Sequence, residues 1–262
     1  MRGGACFFVV AALLAPPAAS AQMQPHRAEY ALRLGTAANA PRIGTAVQDI
    51  TLDCNGWHIT RDVSSEIAFT PSLKVNLASR LDGDEARGGD AFRYHTVQTQ
   101  NGSARDTRGK VQRADGETRA EIVSSGGSEQ VILPPPTLMP VATLSHLIDR
   151  LSAKAAMAPT LLFGAEAMGD VFQVEVTEID GDTLRAAPPA LKPVAVPAAR
   201  FWPLLMTFTR ALDQAQKPLF SVRAMLFSSG VLDRLTVDNG VATVTADLQA
   251  LEMHKAPVCS GS

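Results

Sequence analysis

The side chains with chemical capability in this chain are three cysteines, five histidines and one dense run of carboxylates. Ser145, His146 and Asp149 come nearest to a nucleophile, a base and an orienting acid, and a nucleophile must lie within hydrogen-bond reach of its base. Ser145 and His146 are consecutive in a segment with helical spacing, so their side chains diverge by roughly 100° and do not face each other. His58 and His95 fall on the polar faces of strand-like segments, where a solvated or cross-strand role suffices, whereas metal binding needs convergent ligands. His26 and His254 lie near the two ends of the mature chain, and two histidines alone make a weak site. In Leu81-Asp-Gly-Asp-Glu-Ala-Arg-Gly-Gly-Asp90, Asp82 and Asp84 have the short spacing of a calcium loop. The glycine and terminal glutamate of an EF-hand are misplaced, so a polar hairpin tip is the expectation. There is no His-Glu-x-x-His, Gly-x-Ser-x-Gly or phosphate-loop motif. The expectation is a protein that is not an enzyme, with no catalytic residues, no metal site and no cofactor.

The cysteines carry different information. Cys6 belongs to a start that reads as a secretory signal: Arg2 is cationic, residues 5–15 are apolar, and Ala19-Ser20-Ala21 is a small-residue exit before Gln22. The apolar run is shorter than the roughly 20 residues that cross a bilayer, so cleavage is expected between Ala21 and Gln22. The segment 1–21 would then leave a periplasmic chain, 22–262, with no transmembrane segment. No cysteine follows the exit directly, which argues against a lipid anchor. Cys54 and Cys259 remain as the only thiols in an oxidising compartment, where a disulfide between them is expected; two free buried thiols are the alternative. Such a bond would enclose nearly the whole fold and contribute about 4–5 kcal/mol at most by the loop-entropy argument.

The elements that must position these residues are mostly strands. Ala28, Tyr30, Leu32 and Leu34 alternate with Arg27, Glu29 and Arg33. Trp57, Ile59, Val63, Ile67 and Phe69 repeat the pattern, as do Leu73, Val75, Leu77 and Leu81. Runs 171–179, 201–209 and 219–227 continue it, and a period of two is the mark of strands with one buried face. Asn101-Gly102, Asp115-Gly116, Gly126-Gly127, Asp180-Gly181, Ser229-Gly230 and Asn239-Gly240 are turn signals that join strands locally and antiparallel. One helix interrupts the pattern, over residues 141–156, with Val141, Leu144, Ile148 and Leu151 on one face and Pro140 at a tolerated first position. The proline-rich stretch 187–197 reads as an exposed connection. Met139, Leu144, Ile148, Leu151 and Met157 mark where an apolar pocket could lie between helix and sheet, although core filling is the default role of such residues.

The composition bounds partners. The formal net charge is −2, with no block of Lys or Arg, which argues against nucleic acid and against an anionic membrane surface. The length suits one large β domain.

Several short segments, taken in order, resemble the EipB-type cell envelope integrity family. They are His26-Arg-Ala-Glu-Tyr30, Cys54-Asn-Gly-Trp57, Leu133-Pro-Pro-Pro-Thr-Leu-Met-Pro140, Phe201-Trp-Pro203 and Leu251-Glu-Met-His-Lys-Ala-Pro-Val-Cys259. The resemblance implies an all-β fold with one main helix: a long antiparallel sheet curled into an open barrel, a β-spiral, with the helix packed inside it or across its mouth. It also implies a disulfide joining Cys54 to Cys259, a role in maintaining the envelope, and a shape similar to that of periplasmic lipoprotein carriers. Gly164-Ala-Glu166 and Asp238-Asn-Gly240 depart from the family pattern. The leading expectation is a non-enzymatic factor that holds an envelope protein or component on its curved sheet. A lipid or lipoprotein carrier with an apolar lumen is the alternative, and an envelope hydrolase with an unrecognised site is the third reading.

Overall fold

The computed structural model describes residues 22–259 except 69, 71, 187, 189–191, 199, 214 and 216. The expected signal segment 1–21, with Ala21 at its end, and Phe69 lie outside the described residues; Gln22 opens them.

Eight strands come first: β1 His26–Leu34, β2 Arg42–Leu52, β3 Gly56–Ala68, β4 Lys74–Ala86, β5 Ala91–Gln100, β6 Ser103–Ala114, β7 Glu117–Ser124 and β8 Gly127–Leu133. The helix α1, Pro140–Ser152, precedes β9 Thr160–Gly164, β10 Asp170–Glu178, β11 Phe201–Arg210, β12 Pro218–Phe227, β13 Leu232–Asp238 and β14 Thr243–Met253. All fourteen form one antiparallel sheet in the order β8-β7-β6-β5-β4-β3-β2-β1-β14-β13-β12-β11-β10-β9. Local turn chemistry explains this order. Asn101-Gly102 and Asp115-Gly116 each adopt two positive φ angles (49° and 85°, 54° and 80°), as a two-residue hairpin turn with the twist of its strands requires. The chain therefore steps outward from β1 to β8 hairpin by hairpin. The three prolines that follow Leu133 cannot donate to a ladder and end the meander. The α1 segment crosses to the opposite edge, and β9 to β14 step back until β14 pairs with β1.

A helix of 13 residues can join the two edges only if the sheet curls to bring them near. The curl encloses the main core, in which Ile59, Leu81, Phe92 and Val111 from one arm meet Leu204 and Leu226 from the other around Val141, Leu147, Ile148 and Leu151 of α1. Each such side chain taken from water contributes roughly 1.5–3 kcal/mol. The β9 end lies inside the curl. Phe163 packs edge-on to Phe92, with centroids 6.4 Å apart, and against Tyr94 at 5.7 Å. The sheet therefore overlaps itself without closing, as expected for a spiral. A close approach on β6 is part of this layer: Gly109 pairs with Tyr94, and a Cβ at Gly109 would sit 2.2 Å from the Tyr94 ring.

Cys54, in the β2–β3 turn, is bonded to Cys259 beyond β14, with Cα atoms 5.6 Å apart. The bond thus staples two segments that lie on either side of β1 in the sheet.

Some sequence expectations are corrected by the structure. The helix ends at Ser152 rather than at residue 156, because Ala153 caps it and Lys154 turns left-handed at φ 51°. Its buried face includes Leu147, while Leu144 is half-buried. Leu73 and Leu77 are exposed, since they lie at the β3–β4 hairpin end, where the long strands leave the enclosed core. The stretch from Asp82 to Asp90 is not a hairpin tip: β4 continues through Ala86 and only residues 87–90 turn. Asp180-Gly181 begins a single 3-10 turn instead of a hairpin. The described residues of the 187–197 connection, 188 and 192–197, are irregular as expected but not all exposed, because Pro188 is buried and Val194 and Val196 pack on a second cluster around Tyr30, Val231 and Leu248.

Two variants test this packing. Cys54→Ser should lower thermal stability, by at most about 5 kcal/mol for a separation of 205 residues, without changing far-UV circular dichroism at low temperature. Gly109→Ala should cost about 1–3 kcal/mol in urea unfolding, because the Tyr94 ring must shift within a filled core.

Candidate functional site

The residues expected to mark an apolar pocket are brought together, and they are part of the core. Met139 and Ile148 are fully buried, Leu151 nearly so, and Leu144 and Met157 pack against them half-buried. The histidines are kept apart. His58 Nδ1 lies 2.9 Å from Asp84 Oδ1 across β3 and β4, and His95 Nε2 lies 2.8 Å from Asp106 Oδ2 across β5 and β6. These are exposed cross-strand pairs. His254 Nε2 lies 2.8 Å from Asp49 Oδ1. His26 is buried with Nδ1 2.8 Å from Gln24 O, and burial, reinforced by the approach of His254, holds its pKa below the usual imidazole value. The neutral ring then donates from Nδ1. His146 and Asp149 are exposed on α1, and Ser145 Oγ reaches only Met23 Sδ, at 3.9 Å. Among the described residues, no group of three His, Cys, Asp or Glu side chains could hold a metal ion.

The sequence reading placed Glu85 in a polar hairpin tip and missed its buried position. Glu85 sits on β4 four residues after the buried Leu81, and period two puts both on the inner face. Its side chain is 2% exposed. One carboxylate oxygen accepts the Val141 N–H at 2.8 Å and the other the Ala142 N–H at 2.7 Å. These are orphan donors of the first turn of α1, whose N-cap residue Met139 supplies no side-chain acceptor. Burial pushes the Glu85 pKa up to about 7 against the opposing pull of the two N–H bonds. The alternation from Leu81 through Gly83 to Glu85 was the available signal, obscured by the turn-like composition around it.

A second polar cluster lies inside the curl at the 3-10 turn Ala165–Ala167. Glu166 receives Arg61 on one carboxylate oxygen and Ser79 Oγ at 2.9 Å on the other, while Gln98 Nε2 donates to its backbone carbonyl at 2.7 Å. This cluster ties the β9–β10 corner to strands β3, β4 and β5.

The two sheet edges differ. On β9, Leu161 O accepts from Leu138 N at 2.7 Å and Phe163 N donates to Leu138 O at 2.9 Å, so a parallel bridge occupies the edge. On β8, no described backbone group outside β7 pairs with residues 127–133. The two-residue turn makes Ser124 and Gly127 the first hydrogen-bonded pair of the hairpin, so alternation turns the N–H and C=O of Ser128, Gln130 and Ile132 to the open side. Beside this edge, the outer face of β6, β7 and β8 forms a groove of about 600 Å³, bordered by Lys110, Gln112, Arg119, Glu121, Gln130 and Ile132. Ile132 is 64% exposed within it.

An open, self-overlapping antiparallel barrel with one interior helix defines a β-barrel-like class of protein. The chain belongs to the EipB-like family, whose profile matches residues 17–255. It is similar in fold to the crystal structure of a β-barrel-like protein, of a domain of unknown function, from Brucella abortus. The TM-score is 0.72 at 19% identity, over 89% of this chain and 99% of that one. No curated protein matches the chain. No helix of the described residues is long and apolar enough to cross a membrane.

Glu166→Ala should cost about 1 kcal/mol in urea unfolding, since the Arg61 and Glu166 side chains are 35% and 27% exposed and water screens their pairing. The β9–β10 corner should show the largest rise in amide exchange, because Gln98 and the exposed contact of Arg105 with Met168 would then be its remaining polar ties to the strands around it.

Proposed function

We propose that this protein is a non-enzymatic periplasmic factor that supports the cell envelope by binding an extended segment of an envelope protein along β8. The observation that carries this reading is the difference between the edges. An unpaired edge presents a row of donors and acceptors that invites another strand, and proteins usually blunt it with lysine, proline, a bulge or a cover. β8 has none of these within Gly127–Leu133, its one charged residue being Glu129, and it borders a groove with an exposed isoleucine. Strand addition takes affinity from main-chain bonds and selectivity from alternate side chains. Val131 and Leu133 would lie against the inner side of an added strand, and Gln130 and Ile132 against its outer side. Export to an oxidising compartment agrees with the disulfide, which staples the sheet where reductants are scarce.

The test uses a photocrosslinking residue at position 132 in cells. The expected product is a discrete adduct with an envelope protein that disappears in the Gln130→Pro variant. That substitution removes an outward N–H while leaving the β7 ladder intact, so its stability should stay within about 1 kcal/mol of the parent. An adduct that survives Gln130→Pro, or the absence of any adduct, contradicts edge binding.

A further inference from the structure

We propose that α1 is a plug whose hold on the curled sheet is set by the protonation of Glu85, firm when the carboxyl is neutral and loosened when it is charged. The argument begins with geometry. Glu85 is almost wholly enclosed, and its only hydrogen-bond partners among the described residues are the backbone N–H groups of Val141 and Ala142. No ion pair joins it to a cation among those residues. From β3 the residue directly opposite is Trp57, from β5 it is Phe92, and from the β4–β5 turn it is Gly89; none of these titrates.

Charged groups on the same elements are turned elsewhere. Arg87 donates to Asp53 O, and Arg113 of β6 donates to Thr137 O and Thr118 Oγ. His58 pairs with Asp84, while Asp90, His146 and Asp149 are exposed. A carboxylate kept from water without a counter-cation favours its neutral form, and a shift of this direction is what burial gives Glu85.

The coupling to α1 follows from linkage. Release of the first helical turn would let water reach the carboxyl and return its pKa toward the ordinary value of 4.5, below the docked value of about 7. The docked state then binds the proton more tightly. Docking is strongest below the released pKa and weakens as pH rises through the docked one. The helix has few other polar attachments at that end: Met139 gives no cap, and Leu138 is held by the bridge to β9, leaving a hinge between an anchored residue and a helix whose hold varies. Gly89 lets the β4–β5 turn approach Ala142, so movement of α1 is felt by the β4–β5 hairpin as well.

Amide exchange of the mature chain, expressed as protection relative to the intrinsic rate at each pH, reads the effect. Protection of residues 141–148 should fall about tenfold between pH 6 and pH 8, while protection of the central strands β1 and β14 stays level. In Glu85→Gln, which is neutral throughout, the fall should vanish. An unchanged protection in the parent, or the same fall in the variant, overturns the proposal. Should Glu85→Gln not fold, carboxyl carbon NMR of Glu85 in the parent decides. A midpoint near 7, shared with the amide shifts of Val141 and Ala142, supports the plug; a midpoint below 5 overturns it.

Discussion

The apolar inner face of this sheet runs across both arms, and water can be kept off it only if the sheet rolls onto that face. What it rolls onto is α1. The helix supplies Val141, Leu147, Ile148 and Leu151 to the space that curvature alone would leave unfilled. The same roll brings β8 and β9 close enough for a short crossover and allows the chain's first and last strands to pair in mid-sheet. It also makes the edges unequal. The end that rolls inward, β9, finds Leu138 as a backbone partner and Phe92 and Tyr94 as packing partners. The end that stays outside, β8, finds no backbone partner beyond β7 among the described residues, although Val131 and Leu133 pack into the core. A structural asymmetry of the edges thus arises from a packing requirement.

Burying polar groups inside such a roll requires a partner for each. Glu85 is met by helix N–H groups, Glu166 by Arg61 and Ser79, and Asp247 by Arg185 and Arg33. Each links segments distant in sequence. Arg185, with 7% of its side chain exposed, ties the residues just after Leu184 to β14. Tyr94 is one of several exceptions: its hydroxyl, like His26 Nε2, Ser152 Oγ and Ser229 Oγ, is buried without a hydrogen-bond partner among the described residues, and burial pushes its pKa up to about 12. Its ring is held by Phe92, Phe163 and the space left at Gly109.

Much of the fold was legible because it is local. Alternation such as that of Ile59, Val63 and Ile67 marks strands, paired Asn-Gly and Asp-Gly residues mark hairpins, and Val141, Ile148 and Leu151 mark the helix, so the meander could be read in order. The two remaining cysteines suggested their bond because few other outcomes suit an oxidising compartment. What could not be read depends on distant neighbours. Nothing near Glu85 in sequence reveals that a helix more than fifty residues away ends on it. The glycines and aspartates beside it suggested a turn that the strand overrides. Leu77 alternates correctly yet is exposed, because alternation reports a strand's faces and not how far the opposite wall of the curl extends. The free edge of β8 was equally hidden, since edge or centre is a property of topology rather than composition.

The unequal edges are the central claim, and residue-resolved amide exchange of the isolated protein, residues 22–262, tests them most directly. The account predicts slow exchange at Phe163, whose N–H is bonded to Leu138, and fast exchange at Ser128, Gln130 and Ile132 beside protected neighbours Glu129 and Val131. Protection at Gln130 equal to that at Val131, or an unprotected Phe163, would contradict it.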